Sequence, residues 1–196
     1  MSPFPAPCPH PTGPPSPGPA DSPLGCCWAR LLEARGYERC GGECYYDWQD
    51  YEIDDDLAPL PPGLTFRVEQ LKGKGLLPGT ATYAVDENGE DLGVCVTESG
   101  GNYSRDPAAS DIAFTTWLGV PVRNTDTRLH PSQGKGLGKT LLAESLRVMK
   151  QLGYKHAAIS TALYNHRAQL FYSNMGYQLT DWTYSLQRVL GPAPRL

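Results

Sequence analysis

The sequence predicts an α/β domain, α+β by some schemes, and three observations carry that expectation. From residue 112 onward, extended and helical patterns alternate as strand, helix, strand, helix, strand with short connections. Upstream, Asn88-Gly89 separates two apolar runs, as in a β-hairpin. Leu137, Leu141, Ser145, Val148 and Leu152 recur at the period of one helix face. Of 196 residues, 40% are hydrophobic, enough to build the packed core such a fold needs.

Taken in chain order, residues 1–23 hold ten of the 19 prolines and read as a disordered or polyproline-like leader. Trp28–Glu33 reads as a short helix closed by Gly36 at its C′ position. Tyr37, Tyr45, Tyr46 and Trp48 around Gly41-Gly42 suit a small hairpin over 37–48. An acidic, proline-bearing linker covers 50–63. A strand is expected over Leu64–Glu69, then a hairpin of Ala81–Val85 and Leu92–Thr97. Residues 99–111 form a polar loop, and Ile112–Leu118 and Val122–Leu129 are extended. The main helix opens near Gly136 and ends at Gly153. A buried strand Ala157–Thr161, a helix Arg167–Asn174 and a terminal strand Tyr177–Leu186 complete the pattern.

Composition narrows the function classes. Residues 1–61 carry 3 basic and 10 acidic side chains, net −7; residues 62–196 carry 14 and 11, net +3. An overall charge of −4 does not suit a general nucleic-acid binder. No apolar run approaches the ~20 residues of a membrane span, and the start MSPFPAPCPH lacks the regions of a secretory signal. Five of six cysteines fall in the first 44 residues; without a signal they point to reduced thiols in a cytoplasmic protein. Cys40-x3-Cys44 with Cys26 and Cys27 makes a poor tetrahedral metal set, so no metal is expected.

The chemistry concentrates where a strand meets the main helix, at Gln133-Gly134-Lys135-Gly136-Leu137-Gly138-Lys139. Three glycines in five positions at a helix start let backbone N–H groups converge on an anion, and the helix dipole favours negative charge there. A Walker A loop would need glycine where Gln133 stands, and a dinucleotide loop would need it at Lys139. The pattern that fits is [RQ]-x-x-G-x-[GA], with Gln133, Gly136 and Gly138. Downstream, Asn165, Ala168, Phe171, Tyr172, Gly176 and Tyr177 fill N-x-x-A-x-x-[FL]-Y-x-x-x-G-[FY]. The two motifs, in this order, resemble the acyl-CoA loop and the second signature of GNAT-superfamily N-acetyltransferases, firmly over about 120–190 and loosely over 64–120.

That resemblance implies a mixed central sheet with flanking helices and acetyl-CoA as cosubstrate. It puts the pyrophosphate on the backbone of Gln133, Gly134, Lys135, Gly136, Leu137, Gly138 and Lys139, and the pantetheine arm on the strand ending at Leu129. Asn165 would touch the cofactor arm, and Tyr172 would be the acid for the departing thiolate. A general base is expected at Asp126 or, second, at Glu98. The implied reaction is direct transfer of acetyl to a primary amine, of a small molecule first, alternatively of a protein lysine or N-terminus. A degenerate acyl-CoA-binding or interaction module is the reading from another class. Three departures bear on these choices. One residue rather than two separates Pro131 from Gln133, glutamine replaces the commoner arginine at 133, and only about a dozen residues separate the first two strands, where relatives place two helices that wall the acceptor site.

Leu31–Tyr37 also resembles Phe171–Tyr177 with the glycines matched, as in tandem N-acetyltransferases. The expected organisation is a leader over 1–23, a remnant of a degenerate first copy over 24–49, a linker over 50–63, the GNAT-like domain over 64–190 and a tail over 191–196.

Overall fold

The hairpin around Asn88-Gly89 lies within a seven-stranded sheet. A computed structural model describes residues 23–54, 58–73, 77–120 and 136–188. Its strands are β1 (Glu38–Gly41), β2 (Glu43–Trp48), β3 (Thr65–Leu71), β4 (Gly79–Val85), β5 (Asp91–Ser99), β6 (Ile112–Gly119), β7 (His156–Ala162), β8 (Gln178–Trp182) and β9 (Ser185–Gln187). Its α-helices are α1 (Pro23–Ala34), α2 (Leu137–Gln151) and α3 (His166–Met175), and two short 3-10 turns cover Gly100–Asn102 and Pro107–Asp111. Among the described residues, 39–185 make one compact unit, and α1 with its flanks belongs to another. The expected leader over 1–23, the extended run at 122–129 and the tail over 191–196 lie outside the described residues, save for Pro23 at the start of α1.

In the larger unit the sheet runs β3-β4-β5-β6-β7-β2-β8. Only β6 and β7 are parallel; every other neighbouring pair is antiparallel. At the hairpin tip only Gly89 has positive φ, at 81°. Asp86 takes the amide N–H groups of Asn88 and Glu90 on its carboxylate. This is a longer turn than a two-residue Asn-Gly loop, and the register shift between Ala84 and Val85 absorbs the difference.

The hairpin expected over 37–48 does not form. β2 pairs instead with β7, from Glu43–Ala162 to Trp48–Ala157, and on its other side with β8. The reason is the apolar face of β2: Cys44 and Tyr46 are buried, and a free two-stranded ribbon could not cover them. Residues 50–54 are likewise anchored rather than a free linker. The Tyr51 side chain is fully buried and its hydroxyl donates to the Leu146 carbonyl at 3.0 Å, while Lys150 Nζ donates to the Tyr51 carbonyl at 2.8 Å. The acidic composition of this segment concealed a single aromatic anchor. The terminal strand expected over 177–186 is broken into β8 and β9 at Thr183-Tyr184.

Two kinds of core fill the space between the sheet and its helices. Under α2 the inward positions are largely hydroxyl-bearing: Thr97 Oγ1 lies 2.9 Å from Ser145 Oγ and 3.3 Å from Thr115 Oγ1, all three residues buried. Leu141, Leu142, Leu146 and Met149 complete that layer. Beside α3 the core is aromatic. Tyr172 has ring centroids of Phe171, Tyr46 and Tyr177 at 5.3, 6.0 and 6.1 Å, and Trp48 lies 5.6 Å from Tyr177. β2 thus supplies two rings to a core that the later strands and α3 cannot close alone.

Each α-helix ends in the same way. Gly36-Tyr37, Gly153-Tyr154 and Gly176-Tyr177 each send the tyrosine N–H five residues back and the glycine N–H three back, the paired bonds of a Schellman cap. The likeness of 31–37 to 171–177 is therefore shared by 148–154. It marks a helix ending and does not by itself mark a second copy.

Two predictions follow from this packing. Tyr46→Ala should cost about 3–5 kcal/mol of unfolding free energy, as for a buried aromatic; denaturant unfolding checks it, and a cost below about 1 kcal/mol would show β2 to be a dispensable appendage. Burial raises the hydroxyl pKa of Tyr51, Tyr154 and Tyr177, and that of Tyr172 to about 12. With folded values above the ~10 of an unfolded tyrosine, the folded state keeps protons that the unfolded chain releases. For Tyr172 the contribution is intact below about pH 10 and lost as pH rises through about 12, at up to ~1.4 kcal/mol per pH unit, and the other three tyrosines act in the same direction. Unfolding as a function of pH should therefore show a steep alkaline limb starting near pH 10.

Candidate active site at the parting of two parallel strands

β6 and β7 begin side by side and then separate. Their ladder runs from Ile112–His156 to Thr115–Ile159 and stops there, although β6 continues to Gly119 and β7 to Ala162. Past that point each strand is held by its outer neighbour, β6 by β5 as far as Gly119 and β7 by β2 as far as Ala162. A wedge thus opens at the carboxyl ends of the two parallel strands, where open α/β sheets place their ligands.

A bulge sits at the apex of the wedge. Thr97 faces Thr115 and Val96 faces Trp117, which leaves Thr116 as the extra residue of β6. Its hydroxyl donates to the Val96 carbonyl at 3.3 Å. The bulge breaks the inside–outside alternation, so Thr116 and Trp117 are both exposed, Trp117 by 63%. Backbone groups of 116–119 on the β7 side have no ladder partner in β7.

The sequence-predicted site residues that the structure describes lie on three segments: the start of α2, α3 with its cap, and the end of β5. At the start of α2, Gly136 has φ 82° and ψ 0°, a left-handed conformation that glycine alone adopts without strain. Its carbonyl receives the N–H groups of Lys139 and Thr140. No side chain caps the helix, and the N–H groups of Leu137 and Gly138 have no carbonyl to meet within the helix. Among the described residues, nothing lies within 4 Å of the space a Cβ on Gly136 or Gly138 would take. Leu137 is buried and anchors the turn, while Lys139 is half-buried. Leu129, Gln133, Gly134, Lys135 and Asp126 lie outside the described residues.

Tyr172 projects from α3 against Tyr46, whose strand partner Ile159 is the last β7 residue paired with β6. Burial holds its hydroxyl in the protonated, donor form, with the pKa pushed up to about 12. Asn165 caps α3: its Oδ1 accepts from the Ala168 N–H at 3.3 Å. Glu98, next to last in β5, faces Phe114 across the ladder, on the sheet side opposite Thr97 and Ser145. Its Oε2 accepts from Tyr103 Oη at 2.6 Å and Asn102 Nδ2 at 3.3 Å.

Sequence reasoning missed the bulge, the wedge and the Tyr103–Glu98 contact. Adjacent exposed positions at Thr116-Trp117 would have signalled the first. The other two depend on pairing across the sheet and on the path of a loop. Among the described residues, no three His, Cys, Asp or Glu side chains are gathered as a metal site would require. No helix among them is long and apolar enough to cross a membrane.

Comparison with known proteins agrees with this geometry. A model of the acetyltransferase (GNAT) family matches residues 125–177, which take in the glycine loop, α2, β7 and α3. The solved GCN5-related N-acetyltransferase from Sphaerobacter thermophilus superposes with a TM-score of 0.58 at 18% identity, over 82% of this chain and 55% of that one. A tandem GNAT protein from the clavulanic acid biosynthesis pathway gives 0.63 at 15% identity, over 86% and 59%. A GCN5-related glucosamine N-acetyltransferase region of a fungal multi-domain GH3 β-N-acetylglucosaminidase gives 0.60 at 14% identity, over 86% and 23%. The chain thus spans little more than half the length of the first two, and at these identities the likeness is one of fold. No sequence match to a curated protein is found. The chain thus has the fold of GNAT N-acetyltransferases, and its residues 125–177 match the model of the acetyltransferase (GNAT) family.

Proposed function

We propose that the protein transfers acetyl from acetyl-CoA to a primary amine of a small molecule, by direct attack while both substrates are bound. The wedge between β6 and β7 beside the glycine start of α2 carries this reading. It offers unpaired strand backbone to an extended pantetheine arm, as an added strand would use it. The helix start offers open amides to a pyrophosphate. Gly136, Leu137, Gly138 and Lys139 would bind there, continued by Gln133, Gly134 and Lys135 of the preceding loop, with Leu129 on the strand before it. Asn165 would reach the cofactor arm with its amide nitrogen, since its oxygen is engaged in the cap.

The reaction needs a neutral amine. At pKa ~10 only about 0.1% is neutral at pH 7, equivalent to roughly 4 kcal/mol of barrier. Glu98, whose Oε2 accepts from Tyr103 and Asn102, would take that proton; Asp126 is the other candidate. The nitrogen lone pair then forms the C–N bond as the C–S bond breaks, and the second amine proton leaves with the solvent or the base. Tyr172 would donate a hydrogen bond to the departing sulfur. With its hydroxyl near 12 against ~8.5 for a thiol, it stabilises the thiolate as a donor and does not surrender its proton for good.

A binding-only module is the second reading, and the short β3–β4 connection favours it. Only residues 72–78 separate Leu71 from Gly79, too few for two helices that would wall an acceptor site. A panel of primary amines with detection of free thiol separates the two: thiol release supports transfer, and acetyl-CoA binding without it supports the module.

Acetyl-CoA at a hundredfold excess over its Kd should stabilise the protein by about 2.7 kcal/mol. Gly138→Leu should still fold, because a Cβ at 138 meets no described residue within 4 Å and glycine is a poor helix former, yet lose that ligand effect. Undiminished stabilisation of the variant would remove the helix start from the cofactor site. Tyr172→Phe should lower kcat by about ten- to a hundredfold with the KM for acetyl-CoA unchanged; a loss of affinity alone would contradict the donor role.

A further inference from the structure

The turn that follows β5 is built more tightly than a surface loop requires. Ser99, almost fully buried, accepts the Gly101 N–H at 3.3 Å, and the Gly100 carbonyl receives the N–H groups of Tyr103 and Ser104 at 2.9 and 3.1 Å. A Cβ on Gly100 would lie 2.6 Å from the Ala109 carbonyl oxygen, so the turn is packed backbone to backbone against the second 3-10 turn. From this platform two side chains reach one atom, Glu98 Oε2: Tyr103 Oη at 2.6 Å and Asn102 Nδ2 at 3.3 Å. The Tyr103 ring also rests on Phe114, 5.3 Å between centroids, although 62% of the residue is exposed. An exposed polar pair contributes little to stability, so fold maintenance does not account for two donors converging on one carboxylate oxygen. Glu98 Oε1 accepts no hydrogen bond among the described residues, and it stands beside two aromatic rings on the sheet face opposite α2.

We propose that Tyr103, assisted by Asn102, is a positioning residue that locks Glu98 Oε2 and presents Oε1 to a cationic primary amine, with the Tyr103 ring as one wall of the acceptor site. This rests on the reading of Glu98 as the group that receives the amine. An ammonium matches both features, the carboxylate by charge and the ring face by its quadrupole. With only residues 72–78 between β3 and β4, a short turn takes over part of that task.

The hydrogen bond to Glu98 raises the Tyr103 hydroxyl to about 12. Tyrosinate absorbance after a rapid jump to about pH 11, read before unfolding and compared with Tyr103→Phe, should find Tyr103 still a phenol in the wild-type chain and ionised in Glu98→Gln. Ionisation of Tyr103 in the wild type at that pH overturns the proposal, and this arm decides even where no amine is turned over. With n-butylamine, phenethylamine and spermidine as probes, Tyr103→Phe should lower kcat/KM for the amine about tenfold while the KM for acetyl-CoA stays unchanged. If Glu98→Gln abolishes turnover but Tyr103→Phe matches the wild type, the positioning role fails and the role of Glu98 stands. If Glu98→Gln turns over normally, the assignment of Glu98 fails and the positioning role fails with it.

Discussion

The site depends on a ladder that stops. β6 and β7 share four residue pairs and then follow different partners, β5 on one side and β2 on the other. Parallel strands with free edges would be expected to go on pairing, since each unpaired backbone group they bury costs free energy. The Thr116 bulge turns β6 away, and continuous pairing with β2 keeps β7 on its own course as far as Ala162. The opening is therefore a property of the sheet as a whole, and past Thr115 and Ile159 the two strands no longer pair with each other.

β2 becomes more than an N-terminal extension in this light. Its backbone fills the position between β7 and β8, and its rings Tyr46 and Trp48 join the aromatic core against which Tyr172 is set. The same strand holds one wall of the wedge and seats the proposed hydrogen-bond donor to the thiolate. Tyr51 then ties the following segment to α2, the helix that opens at Gly136. Packing from residues 43–51 thus reaches β7, α2 and the aromatic core around Tyr172.

Much of this was legible in the sequence, for physical reasons that can be named. The glycine loop and the 165–177 pattern are local: a left-handed Gly136, an Asn165 cap and a Gly176 helix ending each need a particular residue type at one position, so they leave a readable trace. The strands at 65–71, 79–85, 91–99 and 112–119 show their apolar runs, and α2 shows its period. β2 was misread because Tyr45, Tyr46 and Trp48 near two glycines satisfy a hairpin as well as a central strand; only the pairing with β7 and β8 tells them apart. The acidic stretch masked Tyr51 because composition averages over the one residue that anchors it. Tyr103 left no trace, since an exposed tyrosine in a polar loop gains meaning only through the carboxylate it meets.

Amide NMR of the protein with and without acetyl-CoA tests the central claim most directly. Binding in the wedge predicts that the backbone amides of Thr116, Trp117, Leu118 and Gly119, together with Gly138 and Lys139 at the start of α2, shift and become protected from hydrogen exchange. Unchanged amides at 116–119, with perturbation elsewhere such as the cleft formed by Glu52, Ile53, Arg147, Lys150 and Gln151, would contradict it.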